Sequence, residues 1–191
     1  MGSEMCIRDS IYTLSKGVSW ITFQNECVTV RIDDQLSKQG KGITLYSAFK
    51  QNLKGDKIYT VFEDSEGDEW ILTNKGISIV GKKQVDSDFP FQYIKEADGI
   101  IYLVSQSDKL ASYNFKSRQF KFIEIPYHVS MINEVKKFDS NTLLLATDNG
   151  LIIYKIKEKK FQLIDIRTST QPSSVVQSVY QDHYKELWIF P

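Results

Sequence analysis

The chain has 191 residues, enough for one domain or part of a larger one. Hydrophobic residues make up 41% and charged residues 25%, a globular composition able to bury a core. Lys plus Arg and Asp plus Glu stand at 24 each, so there is no basic footprint for nucleic acid.

Aromatic residues reach 13%, which favours strands, where flat rings pack on a pleated surface. The longest apolar runs, such as Gly99 to Val104 and Leu143 to Ala146, fall far short of the roughly 20 residues a membrane helix needs. No basic start followed by an apolar stretch and a small-residue cleavage site marks a secretion signal. Two cysteines, Cys6 and Cys27, cannot build a metal cluster, and Cys27 reads as a small buried hydrophobe.

Residues 1–10 share no pattern with the rest and read as a non-native leader. From Ile11 onward the chain divides into approximate repeats at 11–56, 57–90, 91–129, 130–174 and a partial one at 175–191. In the first, Trp20-Ile21-Thr22 and Val28-Thr29-Val30-Arg31-Ile32 predict two strands, and Ser47 to Leu53 allows one helical turn.

The second repeat is sharper. Tyr59 to Glu63 alternates as a strand, Ser65-Glu66-Gly67-Asp68 turns, and Trp70 to Thr73 runs apolar. Asn74-Lys75-Gly76 then turns into Ile77 to Val80. In the third, Gln92 to Glu96, Tyr102 to Ser105, Leu110 to Tyr113 and Phe120 to Ile125 predict four strands. The fourth repeats them as Met131 to Val135, Leu144 to Thr147, Leu151 to Tyr154 and Phe161 to Ile166. The last begins with Val176 to Tyr180 and breaks off at Trp188-Ile189-Phe190-Pro191.

The Thr or Ser that closes the second strand recurs after 32 residues, Thr73 to Ser105, and after 42, Ser105 to Thr147. Periods near 40 with four short strands each are those of propeller blades. The predicted fold is all-β: about four antiparallel four-stranded blades of a β-propeller, an incomplete ring, hence a fragment.

Glu63-Asp64-Ser65-Glu66-Gly67-Asp68-Glu69-Trp70-Ile71-Leu72-Thr73-Asn74-Lys75-Gly76-Ile77 resembles the two-component regulator propeller repeat. That repeat reads roughly Asp-x-x-Gly-x-Leu-Trp-Ile-Gly-Thr-x-x-Gly-Leu, and Leu72 here replaces its Gly. Gln181 to Ile189 resembles its first half and Ala146 to Leu151 its second. The resemblance implies the periplasmic sensor region of a hybrid two-component histidine kinase, as in Bacteroidetes, responding to an oligosaccharide. The kinase would lie elsewhere in the intact protein.

Chemistry-bearing residues are few. His128 and His183 are far apart in the repeat scheme, and no spacing marks a metal site. The acids Glu63, Asp64, Glu66, Asp68 and Glu69 share one hairpin turn, where Asp64 is expected to accept backbone N–H bonds. Trp70 and Trp188 are read as packing between blades, and the Thr73 and Thr147 hydroxyls as strand-end hydrogen bonds. No catalytic residue, metal ligand or cofactor is expected.

Strand order puts the loops between second and third strands, and those between blades, on one face. These are Asn25-Glu26, Asn74-Lys75, Gln106 to Asp108, Asp148-Asn149, Val85 to Pro90, Pro126 to Val129 and Arg167 to Ser174. Loops on a rigid scaffold are the usual place for binding. Phe89, Tyr127, His128, Asp148 and Asn149 are the candidate ligand-binding residues, with Gln171 nearby. Expected partners are a small-molecule or oligosaccharide ligand, the remaining blades of the same chain, and a second copy in the intact receptor. Contact with nucleic acid or membrane is not expected. The alternatives are a propeller enzyme acting on carbohydrate (a lyase or hydrolase) and a protein-interaction scaffold.

Overall fold

The computed structural model describes residues 10–13, 18–22, 27–32, 43–46, 57–80, 90–114, 117, 119–184 and 186–191. Ser19 apart, the side chains described begin at Lys57. The anticipated helical turn at 47–53 and the Cys27 side chain lie outside these residues. Two compact units, 1–90 and 91–191, divide the chain.

In the first unit, β1 (Ser10–Thr13), β2 (Val18–Thr22), β3 (Cys27–Ile32) and β4 (Ile43–Tyr46) form one sheet in chain order. β1 therefore starts inside the stretch read as a leader, at Ser10, which pairs with Thr22. A second sheet holds β5 (Ile58–Glu63), β6 (Glu69–Thr73) and β7 (Gly76–Ile79). Trp70, Ile71 and Leu72 of β6 are wholly buried.

The second unit continues the same plan. β8 (Phe91–Ala97), β9 (Ile100–Ser105), β10 (Leu110–Asn114) and β11 (Gln119–Ile123) make one antiparallel meander. β12 (Ile132–Asp139), β13 (Thr142–Thr147), β14 (Gly150–Lys155) and β15 (Lys160–Ile164) make the next. β16 (Ser178–Gln181) and β17 (Leu187–Phe190) form a two-stranded sheet. Among the described residues every regular element is a strand.

Burial explains the sequence pattern strand by strand. Leu143 and Leu145 enter a core with Tyr102, Val104 and Leu110 of the preceding blade. The alternate residues Leu144 and Ala146 enter another with Val176 and Val179 of the following one. A strand covered on both faces needs no polar side, hence the unbroken apolar run of β13. Each fully buried Leu stabilises the fold by roughly 1.5–3 kcal/mol. The outer strands β11 and β15 meet solvent and are correspondingly polar. Aromatic pairs pin each outer strand to its neighbour: Tyr113 with Phe120 at 5.3 Å and Tyr154 with Phe161 at 4.4 Å between ring centres.

The hairpins use the expected chemistry. Asp98 and Gly99, linking β8 to β9, both take positive φ, at 52° and 68°. That combination belongs to a type I′ turn, whose twist matches the strands it joins.

Candidate functional site

The candidate face is built from turns that hold themselves first. Thr147 Oγ1 accepts the Asn149 N–H at 3.1 Å and donates to the Gly150 carbonyl at 2.7 Å. Thr73 does the same with Lys75 and Gly76 in its own blade. Ser105 accepts the Lys109 N–H at 3.0 Å in the third. The strand-end hydroxyls thus close the turns between second and third strands, as the sequence suggested.

In the second unit these turns are tied to the inter-blade loops. The Asp148 carboxylate accepts the Ser130 N–H, with its oxygens at 3.1 and 3.2 Å. Asp148 N–H donates to the Met131 carbonyl at 3.1 Å, and Ser174 Oγ donates to the Asp148 carbonyl at 3.2 Å. Asn149 Nδ2 donates to the His128 carbonyl at 3.0 Å. One blade back, the Gln106 carbonyl accepts the Ile132 N–H at 2.7 Å. Loops 106–108, 126–131, 148–149 and 167–174 therefore share a face, as strand order required.

His128, Asp148 and Asn149 come together there. His128 is exposed, and its imidazole makes no hydrogen bond among the described residues. Tyr127 is different: its hydroxyl donates to the Phe161 carbonyl at 3.2 Å and its ring packs on the core. Its side chain anchors the loop. Phe89 lies outside the described residues. Gln171 closes a local turn, its N–H donating to Thr168 Oγ1 at 3.0 Å. Beside that turn the Arg167 guanidinium holds the Asp165 carboxyl down to about 2.

Among the acids of the second blade, Asp64 is occupied by the fold. Asp64 Oδ1 accepts the N–H groups of Glu66 and Asp68, at 3.0 and 2.9 Å, and Oδ2 accepts the Trp70 indole N–H at 2.8 Å. Asp182 repeats this with Tyr184, Glu186 and Trp188. The indole bond, first among its causes, holds the Asp182 carboxyl below its usual range. Trp70 is buried as expected, whereas Trp188 is 54% exposed. His183, in the last turn, is exposed and lies 3.8 Å from the Tyr184 ring centre. No group of three or more His, Cys, Asp or Glu among the described residues could hold a metal.

Sequence reasoning missed the carboxylate–indole pair, although an acid stands six residues before Trp in both copies. It also missed a polar wall on the inner strands. There Tyr93 Oη donates to the Asn133 carbonyl at 2.6 Å, and Asn133 Nδ2 donates to the Val176 carbonyl at 2.8 Å. Glu134 and Lys136 complete it by binding the Val179 backbone.

No family model and no curated protein matches this sequence. Solved structures do match its fold. The extracellular domain of a one-component system from B. thetaiotaomicron superposes with a TM-score of 0.71 at 18% identity, over 99% of this chain and 27% of that one. The extracellular domain of a hybrid two-component system from the same organism gives 0.68 at 14% identity, with the same coverages. Virginiamycin B lyase from Staphylococcus aureus gives 0.69 at 17% identity, over 98% of this chain and 64% of the lyase.

The fold is that of β-propeller blades. The chain spans about a quarter of the two extracellular domains and under two thirds of the lyase. The signalling systems are of the kind to which the Glu63–Ile77 motif pointed.

Proposed function

We propose that this chain is a non-enzymatic, ligand-sensing propeller segment of a bacterial two-component receptor, exposed to the periplasm and responding to an oligosaccharide. The observation that carries this reading is the loop face of the second unit. An exposed imidazole, His128, stands beside a turn whose Asp148 and Asn149 are fixed to the neighbouring loop at four points. Prearranged polar groups at loop tips bind hydroxyl-rich ligands without the cost of ordering themselves. The similarity to extracellular domains of signalling systems supports the same reading. Among the described residues no helix is long and apolar enough to cross a membrane.

The test is a thermal-shift and calorimetry screen of the chain against neutral and acidic oligosaccharides. The expected result is saturable binding of one saccharide class, weakened about tenfold by His128→Ala. A screen in which no saccharide binds, or binding indifferent to His128→Ala, would overturn the loop-face assignment. The lyase similarity favours a second reading, a propeller enzyme, for which a carbohydrate substrate is the class to test. Release of unsaturated or reducing-end products from a bound polysaccharide would establish that reading in place of the first.

A further inference from the structure

The inner strands of the second unit share an irregularity. Ile132 and Val135 enter one core, and Val176 and Val179 enter the next, although each pair lies three positions apart. Strand alternation sends residues an even number of positions apart to one face, so this odd spacing requires an extra residue between them. The ladders show which residue is extra. Phe91 pairs with Ser105 and Tyr93 with Val104, which leaves Gln92 out. Ile132 pairs with Thr147 and Glu134 with Ala146, which leaves Asn133 out. Val179 matches Val135 through their partners Ile189 and Leu145, and counting back from it puts Gln177 at the same place.

These residues stand where the blades meet. β8 and β12 each end their own sheet, and β12 adjoins both β8 and β16. The bulges lie opposite Ser105 and Thr147, the hydroxyl residues that close the turns of the loop face. Hydrogen bonds carry the row from blade to blade. Gln92 Nε2 donates to Gln106 Oε1 at 3.0 Å, and the Gln106 carbonyl accepts the Ile132 N–H beside Asn133 at 2.7 Å. Asn133 Nδ2 in turn donates to the carbonyl of Val176, the residue before Gln177, at 2.8 Å. Four carboxamides, Gln92, Gln106, Asn133 and Gln177, thus follow one another along the inner rim of the loop face.

Their existing bonds leave much of their capacity open. A carboxamide carries an acceptor oxygen and a donor NH₂ side by side. Gln92 and Gln106 each give one of these groups to the other, and Asn133 gives one N–H to the backbone. The Gln177 side chain makes no hydrogen bond among the described residues. Gln106 and Gln177 are exposed, and Gln92 and Asn133 are half-buried. The bonds that are made fix the orientation of three amides before any ligand arrives, which spares the cost of ordering them.

We propose that this carboxamide row binds the hydroxyl groups of a neutral oligosaccharide laid along the inner rim. Adjacent hydroxyls of a sugar ring both donate and accept, as the two groups of an amide do. None of the four side chains carries a charge, so the row offers a carboxylate or sulfate no counter-ion. The ligand class rests on the sensing function proposed above, whereas the site uses residues other than His128, Asp148 and Asn149.

The experiment is calorimetric titration of the full chain with hexasaccharides of glucan, mannan and xylan, and with an oligogalacturonate as the charged comparison. Gln177→Ala, Gln92→Ala, His128→Ala and the outer-strand control Gln162→Ala are compared, each checked for an unchanged circular dichroism melt. The expected result is saturable binding of a neutral hexasaccharide. It should weaken about tenfold in Gln177→Ala and in Gln92→Ala and be untouched in Gln162→Ala. The same losses with His128→Ala indifferent would uphold the row and overturn the assignment to the outer loops. Weakening by His128→Ala alone, with both glutamine variants equal to wild type, would overturn the row and leave the loop assignment standing. Absence of saturable binding by any neutral hexasaccharide, or binding of oligogalacturonate alone, would overturn the proposal.

Discussion

Asp64 accepts the indole N–H of Trp70 at 2.8 Å, and the same carboxylate closes the turn that leads into the Trp70 strand. One acid thus fixes a hairpin and satisfies the polar atom of the largest buried ring. Replacing Asp64 with Ala should cost about 1–3 kcal/mol, since a buried donor loses its acceptor. The equivalent Asp182→Ala should cost clearly less, because Trp188 is 54% exposed and water can replace the carboxylate. Urea denaturation of the two variants measures the difference, and equal effects would contradict this account.

Gly150 and Gly99 both adopt positive φ, at 108° and 68°, yet they should respond differently to alanine. A Cβ on Gly150 would lie 2.5 Å from the Ile164 carbonyl oxygen, whereas one on Gly99 meets nothing within 4 Å. Gly99→Ala should therefore cost only the left-handed backbone penalty, about 1–2 kcal/mol. Gly150→Ala adds a collision with the next strand and should cost roughly 2–5 kcal/mol. Thermal melts of the pair test the ordering.

Thr147→Val keeps the shape of the side chain and removes its hydroxyl. The Asn149 N–H and Gly150 carbonyl then lose the partner that closes their turn. A loss of about 1–2 kcal/mol is expected. Amide hydrogen exchange at Asn149 should accelerate as well, and unchanged exchange would show that the turn holds without Thr147.

Alkaline pH should weaken the fold through Tyr102. Burial, then the neighbouring Tyr154 and Asp98, raise its pKa from 10.0 to about 12. Between those values the unfolded chain has lost the proton that the native state keeps, so the native state binds more protons and stability falls as pH rises. The contribution is complete below pH 10 and is lost as pH passes about 12. Denaturation midpoints measured from neutral to alkaline pH should decline in this window, and Tyr102→Phe should flatten the decline. Tyr154, also raised by burial, accounts for part of what remains.

The strands were legible because each blade states its burial in its own residues. Trp70 to Thr73 and Leu143 to Thr147 are apolar runs sealed by a hydroxyl residue and a polar turn, and both became second strands. The shared loop face followed from strand order alone, and it gathered His128, Asp148 and Asn149. The anchoring of Tyr127 was not readable, because its partner is the backbone of Phe161, 34 positions away. The inner wall was hidden by a β-bulge. Register slips between Lys137 and Asp139, so counting back from the hairpin turns sets Tyr93 and Glu134 out of phase.

The joint between the last two blades has a consequence for how such a molecule can change. Asn133, Glu134 and Lys136 reach across it, and what they grasp are the main-chain groups of Val176 and Val179. Every residue type carries a carbonyl, and all but proline an N–H. The receiving blade can therefore drift in sequence while the grip holds, and only the reaching blade is bound to keep its side chains. Copies of one ancestral repeat can diverge almost beyond recognition and still stand side by side.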